Sequence, residues 1–201
     1  MYVPKHFQFE DYKEQVAFMK QYSFATIVSI KDNLPIATQL PFEINEQANK
    51  LFLTSHFAIA NEQANYIEAN TSLVIFSEPH AYISPIHYDK AESVPTWDYI
   101  AVHAYGTAKI ITEEEAKLNA LEQMIRTYDD DYLTQWRGLS DRFKKGMVRG
   151  IVAFELEVTN IQGQKKISQN KTASERDRIA AYLENGGNPI EKSIAESIRN
   201  L

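Results

Sequence analysis

The chain has 201 residues, 44% of them hydrophobic and 24% charged, with no cysteine and a formal net charge of −6. That length fits one domain, or one domain with a small appendage, and the apolar share is sufficient for a core. The lack of cysteine excludes disulfides, thiolate zinc sites, iron–sulfur ligation and cysteine nucleophiles. The acidic balance lacks the excess positive charge of a nucleic-acid footprint.

Tyr12 to Tyr22 reads as a helix with Val16, Phe18 and Met19 on its apolar side and Asp11 as N-cap. Phe24 to Ile30 is β-branched and aromatic, a strand pattern. Asp32-Asn33 suits a tight turn, and Pro35 to Phe42 is the return strand. Asn45 to Asn49 is polar and turn-like, and Lys50 to Ser55 completes an expected three-stranded meander. His56 to Asn70 reads as a loop then a helix. Ser72 to Phe76 and Ala81 to Ser84 read as two short strands, followed by an irregular loop over 85–96 and a long strand from Tyr99 to Ile111.

Thr112-Glu113-Glu114-Glu115 has the pattern of a capping box, and Leu118, Leu121, Ile125 and Tyr128 form a helical stripe behind it. Tyr132 to Lys145 reads as a second helix stopped by Gly146. Gly150 to Ile161 alternates as a strand, and two polar helices follow over 172–184 and 189–199. Hairpin-connected strands with helices inserted between them predict an antiparallel barrel of the α+β class. Regular β-α alternation is missing, which argues against a doubly wound sheet.

The dinucleotide, P-loop, H-E-x-x-H and G-x-S-x-G motifs are all absent. His80, His87 and His103 have a spacing that fits no standard zinc pattern, so no metal is expected. Met1-Tyr2-Val3-Pro4-Lys5 opens no apolar signal region, and no run approaches the roughly 20 apolar residues of a membrane helix; a cytoplasmic location is expected.

The densest polar–aromatic segment is 78–106, with Val94-Pro95-Thr96-Trp97-Asp98-Tyr99-Ile100-Ala101-Val102-His103 at its centre. This segment resembles the PaiB family of FMN-binding negative transcriptional regulators. Met1 to Phe7, Pro35-Ile36-Ala37-Thr38-Gln39-Leu40-Pro41, Thr54-Ser55-His56-Phe57-Ala58-Ile59-Ala60-Asn61 and Lys166-Ile167-Ser168-Gln169-Asn170-Lys171 extend the resemblance in order along the chain. It implies a split β-barrel like that of pyridoxamine-phosphate oxidases, with residues 1–170 as the barrel domain and 171–201 as a helical extension. It further implies a homodimer and an FMN cofactor. DNA is a possible partner through the family label alone, since charge does not support it.

A flavin ring wants a flat aromatic wall with a few polar groups at its edge, which Trp97, Tyr99 and His103 can offer, with Tyr99, Ala101 and His103 on one strand face. Gln169 and Asn170 offer amide donors and acceptors for the ring edge or the ribityl hydroxyls. A flavin phosphate wants N–H groups, hydroxyls or a cation, and Thr38, Gln39, Thr54, Ser55, His56 and Asn61 are the candidates. The chain departs from the family at Ile59 (usually Arg), Glu62 (usually Pro), His87 (usually Trp) and Gln39 (usually His). A buried arginine at 59 would partner a phosphate, and Glu62 would repel one. Three readings follow: an FMN-binding regulator, an FMN-dependent oxidoreductase acting on a small molecule, or a degenerate barrel that has lost its flavin site. No residue is assigned a catalytic role.

Overall fold

A computed structural model describes residues 1–201. In chain order the regular elements are α1 (Tyr12–Gln21), β1 (Phe24–Lys31), β2 (Leu34–Pro41), β3 (Glu43–Gln47), β4 (Lys50–Ala58), β5 (Ser72–Ile83), β6 (Thr96–Ile110), α2 (Glu114–Tyr128), α3 (Tyr132–Gly138), α4 (Asp141–Arg149), β7 (Ile151–Lys166), α5 (Ala173–Asn185) and α6 (Pro189–Arg199). Seven strands form one antiparallel sheet in the order β2-β1-β5-β6-β7-β4-β3, the α+β split barrel that the resemblance implied.

Local chemistry accounts for the ends of several elements. The Asp11 carboxylate accepts from the Glu14 N–H at 2.9 Å, as an N-cap does. Asp32 and Asn33 both take left-handed backbone, which joins β1 to β2 in the register Lys31↔Leu34. Thr172 and Glu175 form a reciprocal capping box at the start of α5.

Five expectations need correction. The meander does not form, because β3 intervenes and pairs with β4 through a second left-handed turn at Ala48-Asn49. Only Ile44 of β3 is buried, so its polar sequence hides the strand. The helix expected after His56 is absent: β4 runs on to Ala58, and a single 3-10 turn covers Glu62–Asn65. The two short strands over 72–84 are one, β5. Thr112 caps nothing, since α2 begins after Glu113 without a side-chain cap bond. The helix expected over 132–145 breaks at Leu139 and restarts at the Ser140 cap, then runs through Gly146 to Arg149.

The chain divides into two compact units. One comprises 1–15, 77–102 and 162–201. Its core includes Phe9, Ile83, Val102, Ile167 and the facing apolar sides of α5 and α6 (Ile179, Leu183, Ile194, Ile198). The other comprises 16–76 and 103–161. Its core is an aromatic cluster in which Phe154 stacks on Phe57 with centroids 5.0 Å apart and meets Phe42 edge-on at 6.2 Å. Within that second unit β6 and β7 approach so closely at Gly106 that a Cβ there would lie 2.2 Å from the Glu157 carbonyl oxygen. Gly106→Ala must therefore push the strands apart. We expect a loss of about 1–3 kcal/mol in denaturant unfolding, and an unchanged midpoint would contradict the close approach.

Candidate functional site

Strand alternation builds the first part of the site. Along β5, Ala81 and Ile83 point into the core while His80 and Tyr82 point out. Along β6, Asp98 and Ile100 are buried, while Trp97 is 54% exposed and Tyr99 is half-buried on the same face. The outward side chains meet. The Trp97 ring lies 5.9 Å from Tyr82 in an edge-to-face contact and 6.0 Å from the His80 imidazole. The Glu78 carboxylate stands 3.9 Å from His80 Nδ1. An exposed indole, phenol and imidazole thus form one aromatic platform.

Behind the platform lies a buried polar clamp. Asp98 is 1% exposed, and its Oδ2 accepts the Ser168 hydroxyl at 2.6 Å. Lys166 Nζ sits 3.7 Å from Asp98 Oδ1 and donates to Thr96 Oγ1 and to the Trp97 carbonyl. Burial raises the Asp98 carboxyl pKa, opposed by the Ser168 hydrogen bond and the Lys166 charge. Burial lowers that of Lys166, opposed by Asp98. Ser168 takes left-handed backbone at φ 60°. Gln169 turns back on the chain, accepting from the Ile167 N–H at 2.8 Å and donating to the Lys165 carbonyl. Its amide is thus already bonded, while Asn170 is exposed.

The remaining expected residues fall in the other unit, where two of them, Thr38 and Asn61, bond Gln63, which sequence reasoning missed. This buried side chain accepts from Thr38 Oγ1 at 2.7 Å and donates to the Ile27 carbonyl at 3.0 Å and Ser29 Oγ at 3.1 Å. Asn61 caps the 3-10 turn by accepting from the Gln63 N–H and donates to Thr38 Oγ1 at 3.0 Å. Ser55 donates to the Pro41 carbonyl at 2.7 Å, and Thr54 is buried beside it. His56 is half-buried, and burial lowers its pKa. His103 is also half-buried and its pKa is lowered chiefly by burial, with Nδ1 buried and unpartnered. Gln39 is exposed on β2 opposite Thr26.

Two expectations about charge also change. Position 59 is not a buried site: Ile59 is 62% exposed. Glu62 is not a lone repulsive charge, because Lys31 Nζ lies 2.6 Å from its carboxylate. Of the donors expected at a helix start, Thr54, Ser55 and His56 lie within β4, and Asn61 caps a four-residue 3-10 turn. His87, where the family usually has Trp, packs its ring 4.8 Å from Tyr182, and its carbonyl accepts from Arg178.

A family model described as "Putative FMN-binding domain" matches residues 1–160. The chain belongs to this family. Protease synthase and sporulation protein PAI 2 of Bacillus subtilis is 37% identical over 199 residues, covering 98% of the chain and 95% of the relative. An uncharacterized protein of Emericella nidulans is 25% identical, covering 83% and 80% respectively. Among solved structures, the FAD and heme binding protein of Mycobacterium smegmatis superposes with a TM-score of 0.62 at 15% identity, over 87% of this chain and 79% of that one. The flavocytochrome Anf3 of Azotobacter vinelandii gives 0.63 at 13% identity, over 82% and 72%. At these identities the two structures establish the fold.

The family assignment makes flavin, and FMN in particular, the cofactor of this FMN-binding family member. The residues present fit it in chemistry. The platform is an exposed aromatic surface of the kind that an isoalloxazine ring covers. Hydroxyls, an amide, an imidazole and the Lys31 cation are the donor types that a phosphate takes.

The raised Asp98 pKa has a testable sign. The folded protein holds this proton above the ordinary carboxylate pKa, where the unfolded chain has released it. The contribution to stability is therefore full at low pH and lost as pH rises through the raised pKa. Asp98→Asn should gain stability relative to wild type between about pH 4 and about pH 7. Urea midpoints at both pH values measure it, and a constant difference would contradict the burial argument.

Proposed function

We propose that the chain is a homodimeric, cytoplasmic, FMN-binding protein of the PaiB type whose flavin ring rests on Trp97. The single observation that carries this reading is the exposed platform of Trp97, Tyr82 and His80 at the start of β6. An exposed tryptophan edge-on to a tyrosine leaves apolar area uncovered unless a ligand or partner covers it. Bound FMN supplies its own hydride and electron chemistry. Trp97 and Tyr99 give the ring an aromatic surface, and Asn170 and Gln169 lie on the segment that carries amides for the ring edge. Thr38, Gln39, Thr54, Ser55, His56, Asn61 and His103 lie in the other unit and are its candidate cofactor contacts, hydroxyl, amide and imidazole groups of the kind a phosphate takes, with His103 Nδ1 buried and unpartnered. Residues 1–170 are the flavin-binding barrel in this reading, and 171–201 a helical extension of it.

The dimer is supported by exposed apolar side chains on the two outermost strands at one side of the sheet, β2 and its neighbour β1. Phe24 and Ile30 on β1 and Leu34 on β2 are exposed. A second copy would remove this surface from water.

A regulatory role is the reading carried by the PaiB resemblance, supported by likeness to a Bacillus subtilis relative named protease synthase and sporulation protein PAI 2. A net charge of −6 gives no support to a direct contact with nucleic acid. A direct DNA contact would show affinity falling steeply between two salt concentrations, and no retention of promoter DNA at low salt would remove it. No helix is long and apolar enough to cross a membrane.

Purified protein should be yellow or become so with FMN. Saturation at about 100 times Kd should add about 2.7 kcal/mol to its unfolding free energy, read as a rise in Tm. Trp97→Ala should weaken FMN binding by about tenfold, the equivalent of one aromatic stacking contact. Ile59→Arg should strengthen it by about tenfold through a charge-assisted phosphate bond. A colourless protein with no thermal shift would end the flavin reading in favour of the degenerate barrel.

A further inference from the structure

Trp97 is exposed, yet the backbone that carries it is held from behind. Lys166, with its side chain only 18% exposed, reaches two groups in succession, the Thr96 hydroxyl and the Trp97 carbonyl. The next residue, Asp98, is fully buried and joined to Ser168. Residues 96, 97 and 98 are thus fastened by two side chains two positions apart in a segment about 70 residues further along. Burying an ammonium and a carboxyl for this is expensive, and apolar residues would hold a strand start more cheaply. What the polar version adds is direction. A lysine that donates to the Trp97 carbonyl fixes the peptide plane from which the indole projects, and so limits its approach to Tyr82 and His80.

We infer that Lys166 is a positioning residue: anchored by Asp98 and Ser168, it holds Trp97 as a preformed face for a planar ligand. The inference rests on the reading of this platform as the flavin-bearing surface. Its advantage to binding is the usual one of preorganisation, since a mobile indole would lose rotational freedom each time the ligand docked.

The test uses the full chain with Trp136→Phe, which leaves Trp97 as the only tryptophan of the original two. Time-resolved fluorescence anisotropy without ligand reads the local motion of Trp97, and FMN titration reads affinity. Lys166→Met should raise the amplitude of fast depolarisation about twofold and weaken FMN binding about tenfold. Lys166→Arg, which keeps the donors, should restore most of both. Ser168→Ala removes one anchoring bond and should shift both measurements in the same direction by less. Should Lys166→Met fail to fold, Ser168→Ala and Lys166→Arg carry the test. Trp97 motion unchanged by Lys166→Met, or by Ser168→Ala where Lys166→Met does not fold, would overturn the inference. Increased motion with unchanged FMN affinity would uphold the clamp and contradict the flavin reading of the platform.

Discussion

A carboxyl sealed from water must be bonded or neutralised, and at Asp98 that requirement organises the start of β6. Its Oδ2 takes the Ser168 hydroxyl and its Oδ1 faces the Lys166 ammonium, which in turn holds Thr96 and Trp97. Alternation then does the rest. Once Asp98 points inward, Trp97 and Tyr99 must point outward, and β5 meets them with Tyr82 and His80. The aromatic platform is thus a consequence of one buried acid and the two-residue period of a strand.

The second unit uses a neutral version of the same device. Gln63 is buried with its amide shared among Thr38, Ser29 and the Ile27 carbonyl, so the short turn over 62–65 is tied to β1 and β2 without a helix. This network orients Thr38 and Asn61, two of the residues expected to face a phosphate. It also consumes part of their bonding capacity. The Lys31–Glu62 pair sits at the surface of this region and is worth little as stability, but it removes the uncompensated negative charge from beside the donors.

Several of these features were legible in the residues. Asp32-Asn33 announced a tight turn because both side chains tolerate left-handed backbone, and the two polar C-terminal helices form close to where they were expected, over Ala173–Asn185 and Pro189–Arg199. The placement of Tyr99 and His103 on one face followed from period two, while β6 begins at Thr96, earlier than the strand expected from Tyr99. What stayed hidden has physical reasons. Strand β3 buries only Ile44, so its apolar pattern is too sparse to read. The helix expected after His56 had good apolar spacing, but the Gln63 network captured the segment as a single turn. The Asp98–Lys166–Ser168 clamp spans some 70 residues of sequence, and no local pattern signals a contact at that range. Family membership reached what local patterns could not, since it rests on short motifs spread in order along the chain.

The most direct test of the account is a crystal structure of the chain with FMN bound. The account predicts the isoalloxazine ring lying against the Trp97 indole, with Lys166 still on the Trp97 carbonyl. A flavin bound elsewhere, with the indole left bare to solvent, would contradict it.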